Sequence, residues 1–308
     1  RFHLLDFSIW QEVDPIFQSG GFAFLPWPDD EIGGDIFIDS LYSPDDVDNY
    51  GYYEYLISHE IGHALGLDHP FEGYFIDENS VNTESVMSYD QSMPLPDSPM
   101  PFDIKAIEFI YGGSNNVNIG EDVYSWDPNH YNRSSVIDDR GFDEYNFSNQ
   151  YNGVFVNLEE DSWSSMLTNQ ILQTEELIHQ YGQIYTSNGT IIEKVVATNR
   201  QDNIYDNSTT NNIINLGADD DNFYYFGGQD QVFGGQGNDY IYINSISANF
   251  YSIANSENNN FSIFNDPNQS SSNPLLLIEQ IEYIQFTDVL KTPNELLLNL
   301  APTSISLD

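Results

Sequence analysis

Three histidines and a glutamate fall within one short stretch, His59-Glu60-Ile61-Gly62-His63-Ala64-Leu65-Gly66-Leu67-Asp68-His69. Four residues make about one helical turn, so His59 and His63 project from one helix face. Two imidazoles placed that way can share one zinc ion at ~2.0–2.1 Å. Gly66 can adopt a backbone conformation that ends the helix and swings His69 in as a third ligand. Three protein ligands leave a position open for water, as a catalytic zinc requires. Glu60, beside His59, is placed to take a proton from that water, whose pKa zinc lowers to about 7. A helix with ordinary surface histidines would not need this spacing. A purely structural zinc site would not need Glu60.

The elements around this stretch must hold it. A helical pattern runs from about residue 52 to residue 67, with Ile57, Ile61, Ala64 and Leu65 as its buried stripe. Phe22-Ala23-Phe24-Leu25-Pro26 and Asp35-Ile36-Phe37-Ile38-Asp39 read as strands separated by a Pro/Asp/Gly turn. A second helix is expected through residues 102–110, stopped by Gly112-Gly113. From Ser114 the composition turns to Asn, Asp, Gly, Tyr and short β-type runs. The expected division is therefore a first domain over 1–112, a second over 113–300, and a remainder, 301–308, that opens a linker or a further domain.

The second domain carries a nine-residue repeat. Tyr205, Ile214, Phe223, Val232 and Ile241 are evenly spaced apolar positions, and two residues before each stands Asn203, Asn212, Asp221, Asp230 or Asp239. The complete copy is Gly234-Gly235-Gln236-Gly237-Asn238-Asp239-Tyr240-Ile241-Tyr242. It fits Gly-Gly-x-Gly-x-Asp-x-apolar-x, the pattern of a calcium-binding parallel β-roll. Glycines such as Gly235 and Gly237 allow a tight turn with inward carbonyls. The aspartates supply hard oxygen for calcium, and the apolar residue fills the interior.

Composition narrows the partners. Of 308 residues, 49 are acidic and 7 basic, a formal net charge of -42. That balance argues against nucleic acid and against attachment to anionic lipid, both of which need basic residues. It calls for bound cations or a salty medium. With no cysteine there are no disulfides and no thiolate metal sites. No apolar run is long enough to span a membrane, and no secretion signal is visible.

Seventeen residues past His69, Val86-Met87-Ser88-Tyr89 completes a pattern: His-Glu-x-x-His-x-x-Gly-x-x-His followed by a Met-containing turn, the metzincin signature. With Pro70 after the third His and Tyr89 two residues after Met87, the chain resembles the serralysin family in particular. The repeat points the same way. The resemblance runs from about residue 3 to about residue 290. It implies an α+β metzincin zinc-protease domain, N-terminally truncated because the family's first strands and first helix lie before residue 1, followed by an all-β parallel β-roll. It implies one catalytic zinc on His59, His63, His69 and Tyr89, Glu60 as general base, Tyr89 also as oxyanion stabiliser, and Met87 as an apolar floor. It implies that Phe22, Ala23, Phe24 and Leu25 bind an extended protein or peptide substrate by strand addition. Several structural calcium ions would sit on Asp221, Asp230, Asp239, Gly235 and Gly237, with Asp221 paired to Asp239. Ile137-Asp138-Asp139-Arg140-Gly141-Phe142-Asp143 resembles a further calcium loop with Asp138 and Asp143 as ligands, Arg140 standing where Gly is usual. Residues 276–288 resemble the strand that follows such repeats. Ala301-Pro302-Thr303-Ser304-Ile305-Ser306-Leu307-Asp308 resembles the opening of a cadherin-like repeat, so the parent is expected to be a large secreted multidomain protein. Two other readings remain open: a calcium-dependent adhesion or surface module whose protease site is vestigial, and an acidic calcium buffer. The intact His59, His63, His69, Glu60, Met87 and Tyr89 weigh against both.

Overall fold

The structure is a computed structural model. Its described residues are 1–8, 20–27, 31–42, 51–72, 80–114, 116–129, 132–243, 252–255, 260–264 and 274–298; the segment 301–308 lies outside them. The described chain is mostly sheet with few helices. It forms two compact units that do not follow a single cut in the sequence. The first holds residues 1–115 together with 129–136 and 173–187, and the second holds the rest. Among the described residues no helix is long and apolar enough to cross a membrane.

In the first unit, strands β1 (Phe2–Leu5), β2 (Gly21–Ala23) and β3 (Ile36–Asp39) form a sheet in the order β1-β3-β2. β1 runs parallel to β3 and β2 antiparallel, so β2 is an edge strand. Alternation sends Ala23, Ile36 and Ile38 to one face, where they meet Leu56, Ile57, Ile61 and Ala64 of helix α1 (Tyr52–Ala64). The stripe expected from periodicity, Ile57, Ile61, Ala64 and Leu65, is only half-buried. The more buried line on α1 is Tyr55, His59 and Gly62, spaced i, i+4, i+7. The helix stops at Ala64, three residues short of the expected end, and Gly66, with φ 96, takes the left-handed conformation that turns the chain out of it.

Helix α2 (Pro101–Tyr111) starts with proline at its first position and is closed by Gly112. The buried carboxylate of Asp103 accepts the amides of Met100 at 2.9 Å and Val86 at 2.6 Å, and the Ser85 hydroxyl at 2.6 Å. It thereby ties the start of α2 to the Val86–Met87 turn. Residues 129–136 and 173–187 add a parallel strand pair, Ser134–Val136 with Ile184–Thr186, and helix α3 (Glu175–Tyr181). Arg133, fully buried, donates to the carbonyls of Pro94, Ile178, His179 and Gly182. It satisfies the carbonyl end of α3 and joins it to the loop after residue 93.

The second unit alternates between two sheets built mainly of parallel strands. Val123–Ser125, Glu144–Asn146, Lys194–Val196, Ile213–Ala218, Asp230–Gln236 and Leu276–Glu279 pair in that order in one sheet. Phe155–Asn157, Asn203–Tyr205, Asn222–Tyr225, Tyr240–Ile243 and Tyr283–Phe286 pair in the other. Ile214 lies opposite Val232 and Phe223 opposite Ile241, so each new pair of strands stacks on the one before. All four side chains are fully buried. The first copy corrects the sequence expectation. Ile204, not Tyr205, stands in register with Phe223 and is fully buried, while Tyr205 points outward and stacks on Tyr224 at 4.3 Å. The carboxylate two residues before it is Asp202, not Asn203. The cause is one extra residue: Ile204 to Ile214 spans ten positions instead of nine.

Successive loops approach each other closely at glycines. At Gly235, with φ 101, an added Cβ would lie 2.0 Å from the Gly217 carbonyl oxygen. Gly237 stands the same way over the Asp219 carbonyl. Gly235→Ala is therefore expected to lower the stability of the second unit by about 2 kcal/mol or more, from left-handed backbone strain and the contact together. Urea unfolding followed by circular dichroism measures it. A midpoint within error of the parent would refute the close approach.

Candidate metal centres

One face of α1 carries the histidine site. Tyr55, His59 and Gly62 all touch the turn at residues 85–88. The Tyr55 hydroxyl donates to the Ser88 carbonyl at 2.8 Å, and His59 Nδ1 lies 2.9 Å from the Val86 carbonyl. Met87, fully buried, packs against Gly62, where an added Cβ would lie 2.3 Å from its sulfur. His63 Nδ1 lies 2.8 Å from the Leu67 carbonyl, and His69 Nδ1 lies 3.1 Å from Glu72 Oε2. Each of these partners can only accept, so each Nδ1 carries the proton and each Nε2 presents a bare lone pair.

Those lone pairs converge. His69 Nε2 lies 3.1 Å from His59 Nε2 and 3.0 Å from His63 Nε2. A tetrahedral zinc with ~2.0–2.1 Å bonds sets its ligand atoms about 3.3–3.4 Å apart. Three acceptors facing one point with no donor among them fit a cation, and the donor set of three imidazoles suits zinc. Burial lowers the pKa of His59 to about 4 and also lowers that of His63, which keeps both in the neutral, ligating form.

Glu60 leaves α1 on the side of β2, its Cγ within 3.1 Å of where a Cβ on Gly21 would sit. The residue is buried, and among the described residues its Oε2 has no hydrogen-bond partner. Burial pushes its pKa up to about 8. The Tyr89 ring centroid lies 5.7 Å from that of His59 and 4.5 Å from that of His69, with the side chain 61% exposed. Phe71, which the sequence did not single out, stacks on His69 at 4.9 Å. Of the strand expected to meet substrate, Phe22 and Ala23 lie in β2. Phe24 extends the pairing through its bonds to Asp35 and Gly34, and Leu25 follows. Gly20 and Phe24 bond toward β3, so alternation turns the amides and carbonyls of Ala23 and Leu25 the other way. Phe22 stacks on Phe37 at 4.8 Å, on the sheet face away from α1.

In the second unit, carboxylates line both loop edges. Where the chain enters one sheet, Val154 N donates to Asp202 at 2.7 Å, Asp202 N to Asp221 at 2.7 Å, Asp221 N to Asp239 at 3.1 Å and Asp239 N to Glu282 at 2.8 Å. Where it enters the other, Asp122 N donates to Asp143 and Asp143 N to Glu193, both at 2.8 Å. On that same side Asn212 N donates to Asp230 at 2.8 Å. Asp221 and Asp239 are thus brought together as neighbours, while Asp230 belongs to the opposite edge. Asp221, Asp230 and Asp239 are buried, each with Oδ2 unpartnered. Burial pushes their pKa values up to about 9, 6 and 6. Asp138 and Asp143 come together, and Asp122 joins them, with one ligand atom from each within 4.8 Å of the others. Asp122 escaped the sequence reading. Its signal was there: it stands two residues before Tyr124, as Asp143 stands before Tyr145, and those tyrosines pair in register.

No family model matches the chain. Over 159 residues it is 31% identical to Serralysin B of Dickeya chrysanthemi, covering 41% of this chain and 32% of that protein. It is 29% identical to a Serralysin of Photorhabdus luminescens over 182 residues, 48% of this chain and 37% of that one. Over 159 residues it is 33% identical to Serralysin C of Dickeya chrysanthemi, 41% and 33% of the two chains. The chain is serralysin-like over about half its length. It spans only 32% to 37% of the length of these relatives.

In this serralysin-like chain the Met87 contact makes Gly62 a test of the centre. Alanine in a helix interior is ordinarily favoured by about 1 kcal/mol over glycine. Here it would displace Met87, and Gly62→Ala is expected to cost about 1–3 kcal/mol instead. It should also weaken zinc binding, read by competition with a chromogenic chelator. A more stable variant with unchanged zinc affinity would show that Met87 does not brace the site.

Proposed function

We propose that this chain carries a zinc-dependent endopeptidase site of the metzincin type, part of a secreted protease stabilised by calcium. The observation that carries the reading is the convergence of three imidazole lone pairs beside Glu60, a buried carboxylate with an unpartnered oxygen. Zinc bound by His59, His63 and His69 would supply a Lewis acid that polarises a peptide carbonyl and acidifies water.

The chain's own residues supply the rest. Glu60, whose carboxylate burial makes more basic than usual, takes the proton from the attacking water and passes it to the leaving amine. The Tyr89 hydroxyl, beside His59 and His69, hydrogen-bonds the developing oxyanion. Outward amides and carbonyls of Ala23 and Leu25 align an extended peptide along the β2 edge, close to Glu60. Recognition through main-chain bonds suits protein substrates of loose sequence preference. Met87 holds the histidine face of α1 from below.

Glu60→Gln is expected to bind one zinc per chain as the parent does, by atomic absorption. It should cleave denatured casein at least about a hundredfold more slowly, the low end for loss of a general base. Cleavage at the parental rate would sink the mechanism.

The second unit fits a calcium-binding β-roll. Asp221 with Asp239 and Asp138 with Asp143 and Asp122 would hold calcium, with carbonyls from the loops at Gly235 and Gly237 completing an oxygen shell of six to eight. Stripped of calcium by EGTA, the second unit is expected to unfold at lower temperature than the first. Magnesium should not replace calcium, because it demands a tighter octahedral shell. Near-UV circular dichroism against temperature, with and without EGTA, decides. Identical melting curves would show that the roll coheres without the ion.

A further inference from the structure

The chain leaves the third histidine through a tight turn. In His69-Pro70-Phe71-Glu72 the Glu72 amide donates to the His69 carbonyl at 3.0 Å, and Pro70 stands second, where its fixed φ suits a turn. The turn folds Phe71 back, so its ring lies flat on that of His69, with centroids 4.9 Å and planes 7° apart. The same ring meets Tyr89 at 4.8 Å and 55°, and Tyr89 meets His69 at 4.5 Å and 61°. The three rings thus close on one another, at separations that aromatic pairs favour.

Tyr89 needs such support. It is 61% exposed, and among the described residues its ring contacts are with His59, His69 and Phe71. An exposed phenol can leave its rotamer unless neighbours block the other wells. A group that stabilises an oxyanion has to hold its place before the charge develops. We propose that Phe71 is a positioning residue for Tyr89: braced on His69, it holds the Tyr89 ring so that the hydroxyl stays beside the histidine cluster. Phe71 has no polar side-chain atom, so it takes no part in proton transfer or metal binding and acts through Tyr89. The His69 ring keeps a separate anchor, Glu72 Oε2 at 3.1 Å from Nδ1, so removing Phe71 frees Tyr89 without releasing the histidine.

This inference rests on the endopeptidase reading, and two measurements on the full chain separate them. The first needs no metal. The chain is labelled with 3-fluorotyrosine, and the Tyr89 fluorine signal is assigned by its loss in Tyr89→Phe. Phe71 is half-buried in a surface turn, so Phe71→Ala leaves the core intact. It is expected to move the Tyr89 signal toward that of free fluorotyrosine, and Phe71→Leu, which keeps apolar bulk without a ring, to move it the same way. The second measurement is hydrolysis of a quenched peptide with zinc present. Phe71→Ala is expected to lower kcat about two- to tenfold, the worth of one aromatic pair, with KM near the parental value. Phe71→Tyr should restore kcat. In a Tyr89→Phe chain, Phe71→Ala should cost nothing further, because the hydroxyl it positions is already gone. An unmoved fluorine signal, or an equal loss of kcat in both backgrounds, overturns the role and leaves the endopeptidase reading intact. A raised KM at parental kcat also overturns it, by making Phe71 a substrate contact. A parent that takes up no zinc and cleaves no peptide overturns both.

Discussion

Hydrogen-bond acceptors that face one another in a dry interior repel, and both units of this chain gather them without enough donors. In the first unit the acceptors are three imidazole nitrogens, 3.0 to 3.1 Å apart around His69. In the second they are carboxylate oxygens stacked turn upon turn, each with one oxygen on an amide of the preceding turn. An isolated ion buried this way costs several kcal/mol even after relaxation. Seven Lys and Arg residues cannot neutralise 49 carboxylates. The one basic side chain that is fully buried among the described residues, Arg133, donates to main-chain carbonyls. Lys194 pairs with Glu144 at 2.7 Å, an isolated bridge rather than a network. Cations from the medium would relieve this arrangement, as the proposed function has them do, and their binding energy would then add to folding.

Asp202 shows what the other turns lack. It sits in the same row as Asp221 and Asp239, equally buried. Its oxygens, however, accept the Thr198 amide at 2.8 Å and the Thr198 hydroxyl at 3.0 Å in addition to the Val154 amide. Protein donors complete that carboxylate, and neither of its oxygens is left over. In the next turns the residues aligned with Thr198 are Gly217 and Gly235, which offer no hydroxyl. The second oxygens of Asp221 and Asp239 are correspondingly bare. The glycines that let the loops approach are also the residues that remove the donor, so close stacking and the bare carboxylate oxygens come from one substitution.

Much of this could be read from spacing alone, and what escaped has identifiable causes. The separations of His59, His63 and His69 translate directly into geometry because a helix and a left-handed Gly66 are both local. The interior column at Ile214, Phe223, Val232 and Ile241 is legible because parallel stacking preserves phase. Phase is lost at the ten-residue turn, where Tyr205 is the better match to a strict period of nine and Ile204 is the residue inside. The division into units escaped for a different reason. Residues 129–136 and 173–187 join the first unit through a strand pair and through Arg133, and one buried arginine capping distant carbonyls leaves no periodic trace. The half-buried stripe on α1 was legible, but the deeper line of Tyr55, His59 and Gly62 was not, since two of its three members are not apolar anchors.

The two kinds of centre differ in what holds their ligands before any ion arrives. His59 and His63 are fixed by the carbonyls of Val86 and Leu67, and the Val86 turn is itself held by Asp103 at the start of α2. The His59 bond is buried, the His63 bond partly so, and both use neutral main-chain acceptors, so they orient the rings without competing for a cation. His69 is held differently, by the exposed carboxylate of Glu72, a contact open to water. Two of the three rings are therefore oriented by the core and the third by a surface contact. In the second unit the Asp221 and Asp239 side chains each accept one amide bond from the neighbouring turn, so their spacing depends on the stacking of those turns. A cation in the first unit meets a frame that exists without it. On the proposed reading a cation between the loops of the second unit would be part of the frame, offsetting the cost of ordering those turns as it binds.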